Sequence, residues 1–414
     1  MTATRPKAVV IGAGPAGLAA ALVLQRRFTD PGAVVVLERS SVADSWRSRY
    51  AELSLNTTRL TSGLPGRRIP RSAGRWVARN EYIDYLERAA SALSTPVQLG
   101  VTVQKVTSAA DGCWALQSDD GGITTPNVVV ATGNEATPHA PQWPGRNTFG
   151  GRVHHVADLR RITDLAGKRV IVVGAGNSGT DVASLLVGLG TDIAVAMRTP
   201  PTILPREHRG VPLQAVAVAT RWLPRRAKDA LTLATAKSAM GDLTAYGIPR
   251  PSVGPFTRFA MTGVTVSVDT GFVAALREGR ARVIGVPVSW TESGLRMEDG
   301  CNAEADVVVL ATGFRCGLEG LVGHLGVLDE RGRPRQPLPG PAVSLPGLFF
   351  AGYRPAVEGT LRSHARDARV IARRCVDGLT SNRIATGPLP TRHRRRYHLR
   401  RANRGGVARA ALPN

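Results

Sequence analysis

The sequence predicts an α/β fold made of two Rossmann-like dinucleotide-binding domains. Three observations predict it: a spaced glycine pattern after a short apolar run near the amino terminus, the same pattern again near mid-chain, and two apolar runs ending in Ala-Thr-Gly that bracket the second pattern. At 414 residues and 43% apolar composition the chain can bury a large core and has the length of two or three domains.

Residues 8–11 form the short apolar run that a buried parallel strand requires. They lead straight into Gly12, Gly14, Pro15, Ala16 and Gly17, and then into a helical pattern over 18–26. Gly12 permits a tight turn, Gly14 lets backbone approach a pyrophosphate, and Gly17 lets helix and strand pack closely. The helix start adds free N–H groups and a positive dipole end. A second apolar run, 34–37, ends in Glu38 followed by Arg39. A carboxylate about twenty residues beyond the glycines can accept hydrogen bonds from a ribose.

The second copy runs from 169–173 into Gly174, Gly176, Asn177, Ser178 and Gly179, with a helix expected over 180–189. Its next strand, 193–197, ends in Arg198 and Thr199 instead of a carboxylate. An arginine there suits a ribose 2′-phosphate, which favours NADPH over NADH. Two dinucleotide sites in one chain imply electron transfer between two cofactors, and flavin with nicotinamide is the economical pairing. The Glu38 site then takes FAD. The runs 128–133 and 307–313 end in Thr132-Gly133 and Thr312-Gly313, where the chain can turn sharply between domains. Because they bracket the second pattern, the expectation is an FAD domain (1–143 and 317–380) with an inserted NADPH domain (144–316) that carries a substrate-side insertion, and a basic tail at 381–414.

The formal charge of +23 raises nucleic acid or an anionic surface as partners, but much of the excess is local. Residues 392–409 hold Arg394, Arg395, Arg396, Arg400, Arg401 and Arg404 with almost no acid, beyond a break at Gly387 and Pro388. That composition reads as a solvated tail and disfavours nucleic acid as the main partner. Cys113, Cys301, Cys316 and Cys375 are far apart and form no metal-ligand or dithiol spacing, as expected of a reduced cytoplasmic protein. The same spacing argues against a flavin disulfide reductase, which needs a dithiol near its flavin. No stretch is apolar for the length of a membrane span, and the glycines after Lys7 rule against a signal peptide.

On ordered blocks along most of its length the sequence resembles the flavin-containing monooxygenases, most closely their YUCCA-type branch. The blocks include GAGPAGLAAA from Gly12, SWRSRYAELSLNTTRLTSGLP from Ser45, ATGNEATPHAPQWPG from Ala131, FGGRVHHVADL from Phe149, GAGNSGTDVA from Gly174, LPRE from Leu204 and FFAGY from Phe349. Phe149, Gly151 and His155 match the family's identifying pattern, whereas its later aromatic position is Leu159. The resemblance implies that His155 positions the cofactors, that Trp46 and Arg47 lie along the FAD, and that the segment from Ala351, with Gly352, closes over the flavin. Asn56 matches the asparagine that animal-type members place beside flavin and nicotinamide; YUCCA-type members differ there. It is the expected catalytic residue, although as a bare feature it could cap a turn before Thr57. What the resemblance implies chemically is that NADPH reduces FAD, that the reduced flavin takes up dioxygen, and that the resulting hydroperoxide oxygenates a small apolar or aromatic substrate. Oxygenation at nitrogen or sulfur ranks slightly ahead on the strength of Asn56, with decarboxylation of an aromatic 2-oxo acid next and Baeyer–Villiger oxidation third. Residues 211–259, with Trp222, Leu223, Met240, Tyr246 and Phe256, are apolar and irregular and resemble the family's insertion near the access path.

Overall fold

A computed structural model describes residues 5–335, 345–354 and 356–382. The arginine-rich stretch 392–409 lies outside the described residues.

In chain order, β1 (Ala8–Ile11) leads to α1 (Pro15–Gln25) and β2 (Val34–Glu38). A ribbon of β3 (Ser54–Thr58) and β4 (Trp76–Ala78), the helix α2 (Arg79–Ser91), β5 (Gln98–Leu99) and β6 (Val128–Val130) follow. Then come β7 (Arg152–His155), β8 (Arg169–Val173), α3 (Asn177–Leu186) and β9 (Asp192–Ala196). The chain continues through α4 (Leu213–Ala219), α5 (Arg225–Met240), β10 (Ala281–Ile284) and β11 (Val307–Leu310). It closes with β12 (Leu348–Phe350) and α6 (Thr360–Asn382).

Two five-stranded sheets result, ordered β12-β6-β1-β2-β5 and β7-β11-β8-β9-β10, and every ladder in both is parallel. The two are built alike. In each, the strand before the glycine turn sits centrally, between the strand that follows its helix and the strand that ends in Ala-Thr-Gly. Val9 pairs with Val35 and Val128, and Val170 with Ile193 and Val307. Runs such as AVVI and VVVL are apolar throughout because a parallel sheet is covered on both faces. In chain order the whole second sheet lies between β6 and β12 of the first. The carboxyl-terminal helix α6 returns to pack on α1, burying Ala368, Ile371, Ala372 and Cys375 in the first core.

The helices α1 and α3 begin three residues earlier than apolar periodicity predicts, inside the glycine pattern. Pro15 at the first turn is pre-set for a helical φ, and small residues give periodicity nothing to register. Among the described residues no helix is long and apolar enough to cross a membrane, and no cluster of three His, Cys, Asp or Glu is arranged to hold a metal. All four cysteines are free.

Candidate functional site

The six fingerprint glycines divide by what a side chain would meet. Gly12 and Gly174 have φ of 107° and 110°, and a Cβ there would stand 2.6 Å from the Ala131 carbonyl oxygen and 2.4 Å from that of Ala311. On Gly17 or Gly179 a Cβ would lie 1.8 Å from the carbonyl oxygen of Gly12 or Gly174. These four are glycine because the chain's own backbone fills the space. Gly14 and Gly176 differ: their φ values are an ordinary −79° and −73°, and a Cβ would meet nothing within 4 Å. Nothing inside the protein requires glycine at either position, so the bare backbone serves something outside the chain. Each precedes a helix start without a side-chain cap, where free N–H groups favour an anion. This cradle fits a dinucleotide pyrophosphate in both sheets.

At the β2 end, the Glu38 carboxylate is buried and accepts hydrogen bonds from the Ala13 N–H (2.8 Å) and the Ser40 N–H (3.1 Å). Each oxygen keeps a lone pair for a ribose hydroxyl. Arg39 is exposed beside it, and Arg198 and Thr199 are exposed just past the end of β9.

The two Ala-Thr-Gly ends are each held by hydrogen bonds to a neighbouring segment. The Thr132 hydroxyl bonds the Tyr353 hydroxyl at 2.7 Å, while the Thr312 hydroxyl donates to the His139 carbonyl. Gly133, Gly313 and Gly352 have φ of 91°, 89° and 86°, conformations that favour glycine. The Gly352 carbonyl accepts from Asn134 (2.8 Å), and a Cβ there would sit 2.7 Å from that of Ala16, so this segment is sewn to the first turn of α1.

Three residues expected at the cofactors also have protein partners. His155 places Nε2 3.1 Å from the Gly313 carbonyl and accepts the Ala157 N–H on Nδ1 at 3.1 Å, so both ring nitrogens fix the turn. Burial lowers its pKa. The Arg47 guanidinium goes to the Glu87 carboxylate and the Val42 carbonyl, with Trp46 edge-on to Tyr82 at 4.8 Å. Asn177 accepts from the Val268 N–H (2.8 Å) and donates to the Val266 carbonyl (3.3 Å). Its neighbour Ser178 is half-buried. Leu159, where the family pattern has an aromatic, is buried in the second core.

Asn56 lies within β3, and its buried Oδ1 has no hydrogen-bond partner. It is not a turn cap. A buried unpaired amide oxygen costs about 1–3 kcal/mol, which a ligand donor would recover. Gln214 of α4, which nothing in its sequence spacing marks, gathers the surrounding segments. Its Oε1 accepts from the Thr58 N–H (3.0 Å) and the Thr61 hydroxyl (2.7 Å), and its Nε2 donates to the Glu358 carbonyl (2.8 Å). Nearby, the Tyr50 hydroxyl donates to Asp181 on α3 at 2.5 Å, tying the β3 side to the second fingerprint helix. Burial is the main cause raising the pKa of both partners.

His364 on α6 is buried beside Gly352 with both ring nitrogens unpaired, and burial lowers its pKa to about 4. The folded state therefore resists protonation that the unfolded chain accepts near pH 6.5, and stability present above that pH is lost as pH falls toward 4. The loss amounts to roughly 3 kcal/mol. Thermal melts between pH 7 and pH 4 should show His364→Leu losing less stability than the parent; parallel profiles would refute this.

A pair of parallel sheets, each with a glycine cradle at a helix start, defines an oxidoreductase that couples two dinucleotides. The family model described as pyridine nucleotide-disulphide oxidoreductase matches residues 9–211. Indole-3-pyruvate monooxygenase YUCCA1 of Oryza sativa subsp. japonica is 34% identical over 354 residues, spanning 84% of this chain and 86% of that one. Probable indole-3-pyruvate monooxygenase YUCCA4 of Arabidopsis thaliana is 30% identical, with 90% of each chain covered. The fold is shared with a flavin-containing monooxygenase from Stenotrophomonas maltophilia (TM-score 0.65, 23% identity, 90% of this chain and 98% of that one). It is shared as well with an ε-caprolactone-bound cyclohexanone monooxygenase (TM-score 0.68, 19% identity, 91% and 88%). The chain belongs to the flavin-containing monooxygenase family, in its YUCCA-type branch, and is a flavin-dependent monooxygenase.

Proposed function

We propose that this monooxygenase holds FAD against Gly12, Gly14, Gly17 and Glu38, holds NADPH against Gly174, Gly176, Gly179, Arg198 and Thr199, and oxidatively decarboxylates an aromatic 2-oxo acid of the indole-3-pyruvate kind. The observation that carries the cofactor assignment is the pair of glycines, Gly14 and Gly176, whose missing side chains face open space. The substrate assignment rests on the names of the relatives at 34% and 30% identity over most of the chain. When bound, FAD supplies the activation of dioxygen, using electrons from NADPH; one oxygen atom ends in the carboxylic acid product and the other in water.

The chain's residues bind, orient and exclude water. The tie of Gly352 to α1 and the Gln214 bridge bring the carboxyl-terminal segment onto the β3 side, shutting solvent from the reacting region. Asn56 offers an unpaired amide oxygen there and does not titrate, so it serves as an orienting group. Asn56→Ala should lower product formed per NADPH about tenfold, with hydrogen peroxide making up the difference. Unchanged coupling would return Asn56 to a structural role. The reading places the enzyme in the cytoplasm, with dioxygen and a small molecule as its partners.

A second reading, oxygenation of an amine or thioether nitrogen or sulfur, is favoured by Asn56 alone. Turnover of the purified enzyme with indole-3-pyruvate, phenylpyruvate, a tertiary amine and a thioether decides between them. Carbon dioxide release from the 2-oxo acids supports the first reading, and its absence alongside N- or S-oxide product overturns it.

A further inference from the structure

The Leu204-Pro205-Arg206-Glu207 stretch carries a cation, Arg206, set into the protein. Arg206 is half-buried, and its Nε is sealed from solvent with no hydrogen-bond partner. Among the described residues no hydrogen bond or ion pair reaches its guanidinium. Neighbouring carboxylates are engaged elsewhere: Glu207 pairs with Arg75 at 2.8 Å, and Asp181 takes the Tyr50 hydroxyl at 2.5 Å. Burial lowers the Arg206 pKa, partly offset by the fields of Asp181 and Glu207. A charged group held in this way is expensive unless something pairs with it.

Its place in the fold says what that partner is near. The guanidinium lies over the Trp76 ring, 5.1 Å from its centre. Trp76 faces Thr58 across the β3–β4 ribbon, and Thr58 is two residues along the strand from Asn56. The Arg206 carbonyl accepts the Leu213 N–H at 3.2 Å, beside Gln214, whose Oε1 holds the Thr58 N–H. Arg206, Trp76, Gln214 and Asn56 are thus linked by a continuous chain of contacts and strand neighbours, beside the reacting region proposed above. Arg198, at the end of β9, is already placed for the nucleotide's 2′-phosphate.

We infer that Arg206, set over the Trp76 ring, receives the anionic group of the substrate, the carboxylate of an aromatic acid. A guanidinium presents parallel N–H donors that match a carboxylate two to two, and an indole beneath it favours the cation at that place. The inference rests on the aromatic 2-oxo acid reading, and makes Arg206 a specificity-determining residue for it.

The test uses the oxidised holoenzyme and two probes of the same shape, indole-3-acetate and its neutral isostere indole-3-acetamide, titrated by their perturbation of flavin absorbance. The parent should bind the carboxylate about 10- to 100-fold more tightly than the amide. Arg206→Gln should bring that ratio close to one while KM for NADPH stays unchanged, and Arg206→Lys should recover part of it. A parent that binds both probes equally, or a ratio that persists in Arg206→Gln, overturns the inference. So does a matching rise in KM for NADPH, which would give Arg206 to a nucleotide phosphate. If no 2-oxo acid is turned over yet the carboxylate preference vanishes with Arg206→Gln, the substrate reading falls and the Arg206 assignment stands. Turnover of 2-oxo acids with an unchanged KM in Arg206→Gln is the converse.

Discussion

Gly14→Val is expected to give a folded, colourless protein, whereas Gly17→Ala is expected to destroy the fold. The two positions are three residues apart in one motif, yet their surroundings are opposite. At Gly14 the backbone is extended and a new side chain meets no protein atom within 4 Å, so valine costs the apoprotein little. It fills the volume in front of the α1 amino terminus, where the pyrophosphate must come within hydrogen-bond distance of the backbone N–H groups. Each lost charge-assisted bond weakens binding by about 1.5–3 kcal/mol, so loss of two weakens flavin binding by about 10²- to 10⁴-fold. At Gly17 a Cβ would stand 1.8 Å from the Gly12 carbonyl oxygen, deep in the first core, and α1 must move off β1. Overpacking against backbone at that distance costs more than about 3 kcal/mol, a large share of a domain's stability. Flavin absorbance and thermal melting of both variants separate the effects. Stoichiometric flavin in Gly14→Val would remove the pyrophosphate assignment. Gly176→Val extends the same logic to the second sheet: flavin retained, and NADPH binding lost.

The sequence was most legible where one residue type answers to one local constraint. Both glycine turns, the strands feeding them and the two Ala-Thr-Gly ends are short-range patterns whose reasons can be stated within a dozen residues, and the structure has all of them. Side-chain destinations were less legible. Arg47, His155 and Asn177 carry chemistry suited to a cofactor, but their partners Glu87, Gly313 and Val266 with Val268 are 40, 158 and about 90 residues away. No spacing rule announces a partner at that separation. Gln214 was invisible for the same reason, since its bonds run to Thr58 and Glu358, 156 and 144 residues distant. Asn56 is the converse case. A turn cap and a ligand contact demand the same side chain, and only a strand context with an unpaired buried oxygen distinguishes them.

Arg198→Ala should raise KM for NADPH about 10- to 100-fold and leave KM for NADH almost unchanged. The two nucleotides differ only by the ribose 2′-phosphate, so a residue that pairs with that group affects one and spares the other. In the first sheet the equivalent strand end presents a buried carboxylate, Glu38, whose chemistry suits ribose hydroxyls and would repel a phosphate. In the second, β9 stops at Ala196, and Arg198 and Thr199 stand exposed beyond it with no acid beside them in the chain. Exposure matters for the magnitude, because a solvated ion pair is screened by salt; the ratio of the two KM values should narrow as ionic strength rises. A second cation tempers the loss. Arg258 is anchored on the Pro200 carbonyl at 2.6 Å, one residue past Thr199, and holds its positive charge near the same strand end. Arg198→Ala therefore keeps a residue of NADPH preference, and adding Arg258→Ala should abolish it. Steady-state kinetics with both nucleotides at two salt concentrations measures this directly. An equal rise for NADH and NADPH in Arg198→Ala would show that the side chain supports the strand end and does not read the phosphate.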